Sequence, residues 1–267
     1  MKTTTVDALR VTHTARESAP DLVAIEEPLE ILLGWQHNGE PREKTVSITM
    51  RTPADDYDLA AGFLFTEGLI AGGDEIESIR HWSSPNRVRV GLAAGATVDL
   101  SRLDRHFYTT SSCGVCGKAS IDAIQVAKTS VAGSAQPRAT IVHALPSVLH
   151  TAQSAFHDSG GVHGAALIDA DGKLLCARED VGRHNAVDKV IGAFVREKKN
   201  PLHDTMLMVS SRGSFEIVQK AIVAGIPTVA FVGGPTSLAV ELAQQFGVTL
   251  IGFVREGRFT VYSGSVT

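Results

Sequence analysis

Cysteine is scarce in this chain: three residues in 267, and an odd number. So few thiols in a chain of this length make no disulfide framework, and one close pair among them reads as redox, metal or sulfur-handling chemistry in a reducing compartment. Long apolar runs are lacking too. None reaches the length needed to span a bilayer, and the opening Met1-Lys2-Thr3-Thr4-Thr5-Val6-Asp7 has no apolar core of the kind a secretory signal carries. A cytoplasmic location with no membrane attachment is the expectation. An excess of positive charge is also missing: 25 Lys and Arg against 29 Asp and Glu give a net charge of -4. That removes the general basic field of a nucleic-acid binder while leaving room for a local phosphate pocket. Disorder is excluded by 43% hydrophobic and 20% charged residues, and the length suits one large or two modest domains.

Residues 1–20 are polar and unpatterned and read as a flexible arm. Strand-like runs follow at Leu22–Ile25, Leu29–Leu33 and Thr45–Arg51. Pro53 and Asp55-Asp56 precede Leu59-Ala60-Ala61-Gly62-Phe63-Leu64-Phe65, whose spacing and acidic first turn predict a helix ending near Gly68. Short strands at Glu75–His81, Arg87–Gly91 and Thr97–Leu100 complete a smaller α+β unit over 21–105. Residues 106–140 carry a cysteine loop, a helix at Lys118–Lys128 and the small, polar, linker-like stretch Thr129–Thr140.

Residues 141–267 open with an expected helix, Pro146–His157, with the proline at its first position. A hairpin of Gly164–Asp169 and Leu174–Arg178 follows, turned at Asp169-Ala170-Asp171-Gly172. Helix His184–Arg196, strand Thr205–Ser210, helix Ser214–Ala224, strand Thr228–Val232, helix Pro235–Phe246 and strand Thr249–Val254 then alternate. Nearly all-apolar strands in such an alternation demand parallel pairing, so the fold class is α/β, with a C-terminal three-layer α/β/α domain behind the α+β unit.

The close thiol pair is Cys113-Gly114-Val115-Cys116-Gly117, in a Ser/Gly-rich stretch ahead of the Lys118 helix. A structural zinc site would need a second close ligand pair, and none exists; Cys176 falls in a strand, where a small apolar residue would serve. A thioredoxin-like exchanger would place the motif directly after a core strand, whereas Tyr108-Thr109-Thr110-Ser111-Ser112 is polar. Sulfur carriage suits the loop better. A thiol with a pKa of about 8.5 is only a few per cent ionised near neutrality, and a helix N-terminus and an ammonium close by raise that fraction.

In a doubly wound sheet the ligand crevice lies beyond the carboxyl ends of the strands. Those positions here are Ser210-Ser211-Arg212-Gly213-Ser214, Gly233-Gly234-Pro235-Thr236-Ser237 and Phe253-Val254-Arg255-Glu256-Gly257-Arg258. Glycine, hydroxyls and arginine beside helix N-termini suit a phosphate-bearing, nucleotide-like anion. Each turn alone reads equally as a capped, tight loop. None carries G-x-G-x-x-G or G-x-x-x-x-G-K-[ST], which leaves hydride cofactors and nucleotide hydrolysis unsupported. The charged segment Arg178-Glu179-Asp180-Val181-Gly182-Arg183-His184-Asn185-Ala186-Val187-Asp188-Lys189 offers two readings, a site and a capped, solvated helix start with Asp180 near the positive dipole end and Asp188 or Lys189 in surface pairs, and residue physics favours the second. His143 and His163 read as surface or satisfied histidines.

Taken in order, Arg51-Thr52-Pro53, Leu59 to Gly68, the Cys113–Gly117 motif, Gly161-Val162-His163-Gly164-Ala165-Ala166, Glu179 to Lys189, Ser210-Ser211-Arg212, Pro235-Thr236-Ser237-Leu238-Ala239 and Gly252-Phe253-Val254-Arg255 resemble the FdhD/NarQ family of formate dehydrogenase accessory sulfurtransferases. The resemblance implies a cytoplasmic homodimer with a cytidine-deaminase-like C-terminal fold. It implies a carrier that takes sulfur from a cysteine desulfurase and passes it to the molybdenum of bis(molybdopterin guanine dinucleotide), bound as acceptor, before insertion into formate dehydrogenase. It makes Cys113 the persulfide-bearing residue, Cys116 its partner, and Phe253–Arg258 part of the guanine-dinucleotide site, with no resident metal. Deaminase chemistry itself is disfavoured, since His163-Gly164-Ala165 lacks the glutamate of H-x-E and no P-C-x-x-C is present. A cofactor-holding chaperone and a disulfide oxidoreductase stay open as alternatives.

Overall fold

The structure, a computed structural model, describes residues 1–96, 131, 136–200 and 202–267. The expected strand Thr97–Leu100, the Cys113–Cys116 pair and the expected helix Lys118–Lys128 lie outside the described residues.

The chain begins with strands β1 (Thr3–Val11) and β2 (Arg16–Ala24), paired antiparallel along their whole length. This corrects the reading of residues 1–20 as an unpatterned arm. Both strands are exposed over most of their length, so no alternation of buried and exposed residues marks them, while Thr3-Thr4-Thr5-Val6 supplies the β-branched residues that suit extended backbone.

Strands β3 (Glu27–His37), β4 (Glu40–Arg51), β5 (Ile76–His81) and β6 (Arg87–Leu92) form a four-stranded sheet in the order β4-β3-β6-β5. Helix α1 (Asp56–Thr66) covers its inner face; Asp56 and Asp58 sit in the first turn, and Gly68 beyond its end takes φ 69°. The expected helix is therefore present, with its acidic first turn.

After the undescribed stretch come α2 (Ala139–Thr151), α3 (Ser154–Ser159), β7 (His163–Asp169), β8 (Leu174–Asp180) and α4 (Arg183–Arg196). They are followed by β9 (Thr205–Val209), α5 (Phe215–Ala224), β10 (Thr228–Phe231), α6 (Ser237–Phe246), β11 (Thr249–Arg255) and β12 (Arg258–Ser263). Six strands form one sheet in the order β12-β11-β10-β9-β7-β8, with β9, β10 and β11 parallel and the flanking pairs antiparallel. Two expectations need correction here. Pro146 lies inside α2 rather than at its start, forfeiting one helix hydrogen bond, and the single helix Pro146–His157 is in fact the end of α2 plus the separate α3. The stretch Phe253–Arg258, read as a loop, is the end of β11, a two-residue turn and the first residue of β12.

Alternate strand residues face opposite sides of this sheet. Met206, Met208, Ala230 and Ile251 pack under Ile141, Val142, Leu145 and Leu149 of α2. Leu207, Val209, Val229, Phe231 and Leu250 face α4, α5 and α6, in a core that continues without a break through α1 to Leu29, Ile31, Val88 and Val90 of the first sheet. The segment read as a solvated helix start is buried at that junction. Lys189 and Asp180 form an ion pair at 2.7 Å with neither side chain accessible. Asp180 also accepts from the amides of Thr52 (3.1 Å) and Gly182 (2.8 Å), and Lys189 donates to the Thr52 carbonyl at 2.8 Å. Next to Lys189 on α4, Asp188 accepts from Thr66 and Lys220. Burial pushes the Asp188 carboxyl up; burial alone would push Lys220 down, but the Asp188 and Glu67 carboxylates hold it above the usual lysine range. The surface pairs expected for Asp188 and Lys189 are thus buried pairs, because Thr52 in the link after β4, Thr66 of α1 and Lys220 of α5 close over them, the two threonines from more than a hundred positions away.

Candidate ligand crevice at the strand ends

Strands β9, β10 and β11 run parallel, so their carboxyl ends open on the same edge of the sheet. Backbone hydrogen bonds stitch the three turns beyond them into one rim. Gly213 donates to the Gly234 carbonyl at 3.1 Å, Thr236 to the Gly213 carbonyl at 2.9 Å, Gly233 to the Ser211 carbonyl at 3.1 Å, and Phe253 to the Gly233 carbonyl at 3.0 Å. Two of the glycines are needed for close approach: a Cβ on Gly213 would lie 2.8 Å from the Phe231 ring, and one on Gly234 only 2.6 Å from the Phe253 ring.

Phe253 is the most exposed apolar side chain of this rim, 49% accessible, on a backbone with φ 53°. A left-handed aromatic residue is a strained one, held here by the hydrogen bond its N–H donates to the Gly233 carbonyl and by the ring lying over Gly234. Arg255, itself exposed, folds back on the rim, its Nη1 donating to the carbonyls of Val232 (2.7 Å) and Val254 (2.8 Å), and so braces the turns. Arg212 and Arg258 are exposed and have no side-chain partner among the described residues. Glu256 and Gly257 make the exposed β11–β12 turn, Val254 is buried beneath it, and the Thr236 side chain caps α6 by accepting from the Ala239 amide at 3.4 Å.

Because β7 runs antiparallel to β9, its first residues come to this same edge. Gly164 donates to Ser210 Oγ at 3.0 Å, and His163 Nδ1 stands 3.5 Å from that hydroxyl. Burial holds the His163 imidazole below the usual histidine range, helped by the charges of Arg183 and His184 and opposed by Asp180. Arg183 opens α4, and its Nε is buried with no hydrogen-bond partner among the described residues. Next to it, His184 Nε2 lies 3.3 Å from Ser214 Oγ and 3.6 Å from Glu216, whose pKa falls to about 2 chiefly through the histidine's hydrogen bond.

The structure therefore brings together Ser210 to Gly213, Pro235, Thr236 and Phe253 to Arg258, and adds His163 and Glu216, which sequence reasoning missed, and Arg183 and His184, for whose segment it favoured a solvated helix start over a site. The density of ionisable residues over 178–189 was the available signal. Cys176 stands half-buried in edge strand β8, with its thiol pushed up by burial. A separate cavity of about 490 Å³ opens at the opposite edge of the sheet, near the starts of β9 and β10, among Arg138, Asp171, Asp204, Thr205 and Thr228. It shares no residue with the crevice.

A model of the FdhD/NarQ family matches residues 24–267. A protein of Mycolicibacterium paratuberculosis named sulfur carrier protein FdhD is 46% identical, over 95% of this chain and 95% of its own length. Proteins of the same name from Streptomyces avermitilis and Sulfolobus acidocaldarius are 44% and 41% identical, over 96% and 93% of this chain and 92% and 91% of theirs. A crystal structure from Desulfotalea psychrophila, proposed in its own name to be a formate dehydrogenase accessory protein, shares the fold with a TM-score of 0.77 at 23% identity, over 99% of this chain and 98% of its own. Matched in sequence from residue 24 to its last residue, the chain belongs to the FdhD/NarQ family.

Proposed function

We propose that this chain is a sulfur carrier that serves the maturation of a formate dehydrogenase, with Cys113 and Cys116 as its working thiols. The observation that carries the reading is the single rim formed by three turns at the strand ends, where Phe253, Arg212 and Arg258 stand exposed over a glycine floor. The names of full-length relatives from three genera point the same way.

The substrate is a molybdenum cofactor carrying guanine dinucleotides. Its phosphates suit the turn amides, the Arg212 and Arg258 guanidinium groups and the positive ends of α5 and α6. Its base suits the exposed face of Phe253, since an aromatic ring offers a stacking platform to any purine. His163, held neutral, and Arg183, with an unspent donor, extend the donor-lined edge towards β8. The layering of one helix on one face of the six-stranded sheet and three on the other fits a cytidine-deaminase-like unit, put to binding rather than deamination.

In the transfer step the Cys113 thiolate attacks the outer sulfur of a persulfide on the donor, a cysteine desulfurase. A new sulfur–sulfur bond forms on Cys113, the donor's bond breaks, and the donor cysteine leaves as a thiolate, with no net oxidation. Two copies of the chain working as a homodimer, in the cytoplasm, complete the proposal.

Mass spectrometry after incubation with a desulfurase and cysteine tests it. The wild type gains the mass of one sulfur atom, and Cys113→Ala does not gain it and fails to activate formate dehydrogenase while still binding guanosine diphosphate. Full activation by Cys113→Ala would make the chain a cofactor-holding chaperone instead. Turnover of dithiol substrates without any nucleotide binding would make it an oxidoreductase.

A further inference from the structure

Away from the crevice, α2 ends and α3 begins across the two-residue link Ala152-Gln153. His150, in the last turn of α2, and His157, in α3, are both exposed, and their rings meet. His150 Nδ1 lies 3.3 Å from His157 Nε2. Two nitrogens bound to one tetrahedral ion at about 2.0–2.1 Å each stand roughly 3.4 Å apart, so the pair is already at chelating distance.

The ring centroids are 4.4 Å apart with the planes at 73°. Two imidazoles on one tetrahedral ion hold their centroids about 5.2 Å apart, so taking up an ion swings the rings apart by roughly 0.8 Å while the two nitrogens keep their spacing. Both side chains are exposed, which leaves them room for that movement.

The backbone under the pair is fixed on both sides. Leu149 and Ala155 are buried, and Gln153 is 4% accessible. The Glu179 carboxylate accepts from the amides of Ala155 (3.0 Å) and Phe156 (2.8 Å), anchoring the start of α3 on β8, and the Phe156 ring meets His150 edge-on at 6.3 Å. No third histidine, cysteine or carboxylate completes a cluster among the described residues, so the other ligand positions belong to water. Two imidazoles and water select the borderline divalent ions, zinc, nickel and copper, over magnesium and calcium.

We propose that His150 Nδ1 and His157 Nε2 form a two-imidazole site for an exchangeable divalent transition-metal ion. The site is distinct from the strand-end crevice and does not depend on the sulfur-carrier reading. Nitrogen-15 spectra of the imidazole rings of the whole chain, titrated with Zn²⁺ at pH 7.5, test it. His150 Nδ1 and His157 Nε2 are expected to shift together and saturate at one ion, while His143 stays still and Mg²⁺ moves neither. His157→Gln should weaken the ion taken up at His150 by about tenfold or more, a change of about 1.4 kcal/mol. If the two rings respond to pH but not to Zn²⁺, or if zinc binds with the same strength in His157→Gln, the pair is a hydrogen-bonded one and the proposal is overturned.

Discussion

Gly62 of α1 and Gly192 of α4 face each other where the two helices cross. A Cβ on Gly62 would stand 1.9 Å from the Asp188 carbonyl oxygen, and one on Gly192 1.8 Å from that of Asp58. Backbone atoms cannot yield as a flexible side chain does, so adding one methyl must separate the helices and, with them, the first sheet from the second. Gly62→Ala and Gly192→Ala are each expected to cost about 3 kcal/mol or more in urea denaturation. A cost within the range of an ordinary surface substitution would mean the helices do not cross this closely.

The same crossing encloses the Asp180–Lys189 pair, and its prediction rests on an asymmetry. Asp180 accepts from Lys189, Thr52, Gly182 and Asn185, the last at 3.0 Å, so deleting the ammonium leaves a buried carboxylate short of its counter-charge. Lys189→Met is expected to lose about 3–5 kcal/mol, and the pair Asp180→Asn with Lys189→Met clearly less, because it removes both charges. Equal losses in the single and double variants would contradict this account.

What the sequence made legible was whatever depends on nearest neighbours. The apolar runs of β9, β10 and β11 and the helices between them lie within a residue or two of where periodicity put them, and the acidic first turn marked α1. The three crevice turns were readable because their place follows from strand direction alone. Other features were hidden for identifiable reasons. Nothing local distinguishes the β1–β2 ribbon, since neither strand has a consistently buried face. Pro146 pointed to a helix start because a proline is cheapest there, and α2 tolerates it seven residues in. Burial of Asp180, Asp188 and Lys189 is set by Thr52 and Thr66, 122 or more positions away, so a charged stretch that looks solvated is the floor of an interface.

Acid should weaken the fold in two steps that belong to separate residues. His163 has its folded pKa below the ordinary 6.5, so its contribution is full above that value and is lost as the pH falls through it, the unfolded chain taking up the proton first. Glu216, at about 2 against an ordinary 4.5, contributes fully above 4.5 and loses that contribution as the pH falls towards 2. Chemical denaturation between pH 7.5 and 3 is expected to show a shallower upper step in His163→Gln and a shallower lower step in Glu216→Gln. If His163→Gln leaves the slope near pH 6 unchanged, the histidine is not held neutral by its surroundings.

Phe253 offers a test in which stability and binding move independently. At φ 53° a Cβ is costly and glycine is not, so Phe253→Gly should be more stable than Phe253→Ala by about 1 kcal/mol, the reverse of the order at most positions. Both variants lose the ring that lies over Gly234, and with it a stacking surface for a purine. Calorimetric titration with guanosine diphosphate should therefore show both weakened to a similar extent, by about 1–3 kcal/mol. If binding instead followed stability, with Phe253→Gly near the wild type and Phe253→Ala far below it, the ring would be serving the backbone of the turn rather than the base. Wild-type affinity in both variants would remove Phe253 from the nucleotide site altogether and leave the arginines and turn amides to hold the ligand by its phosphates.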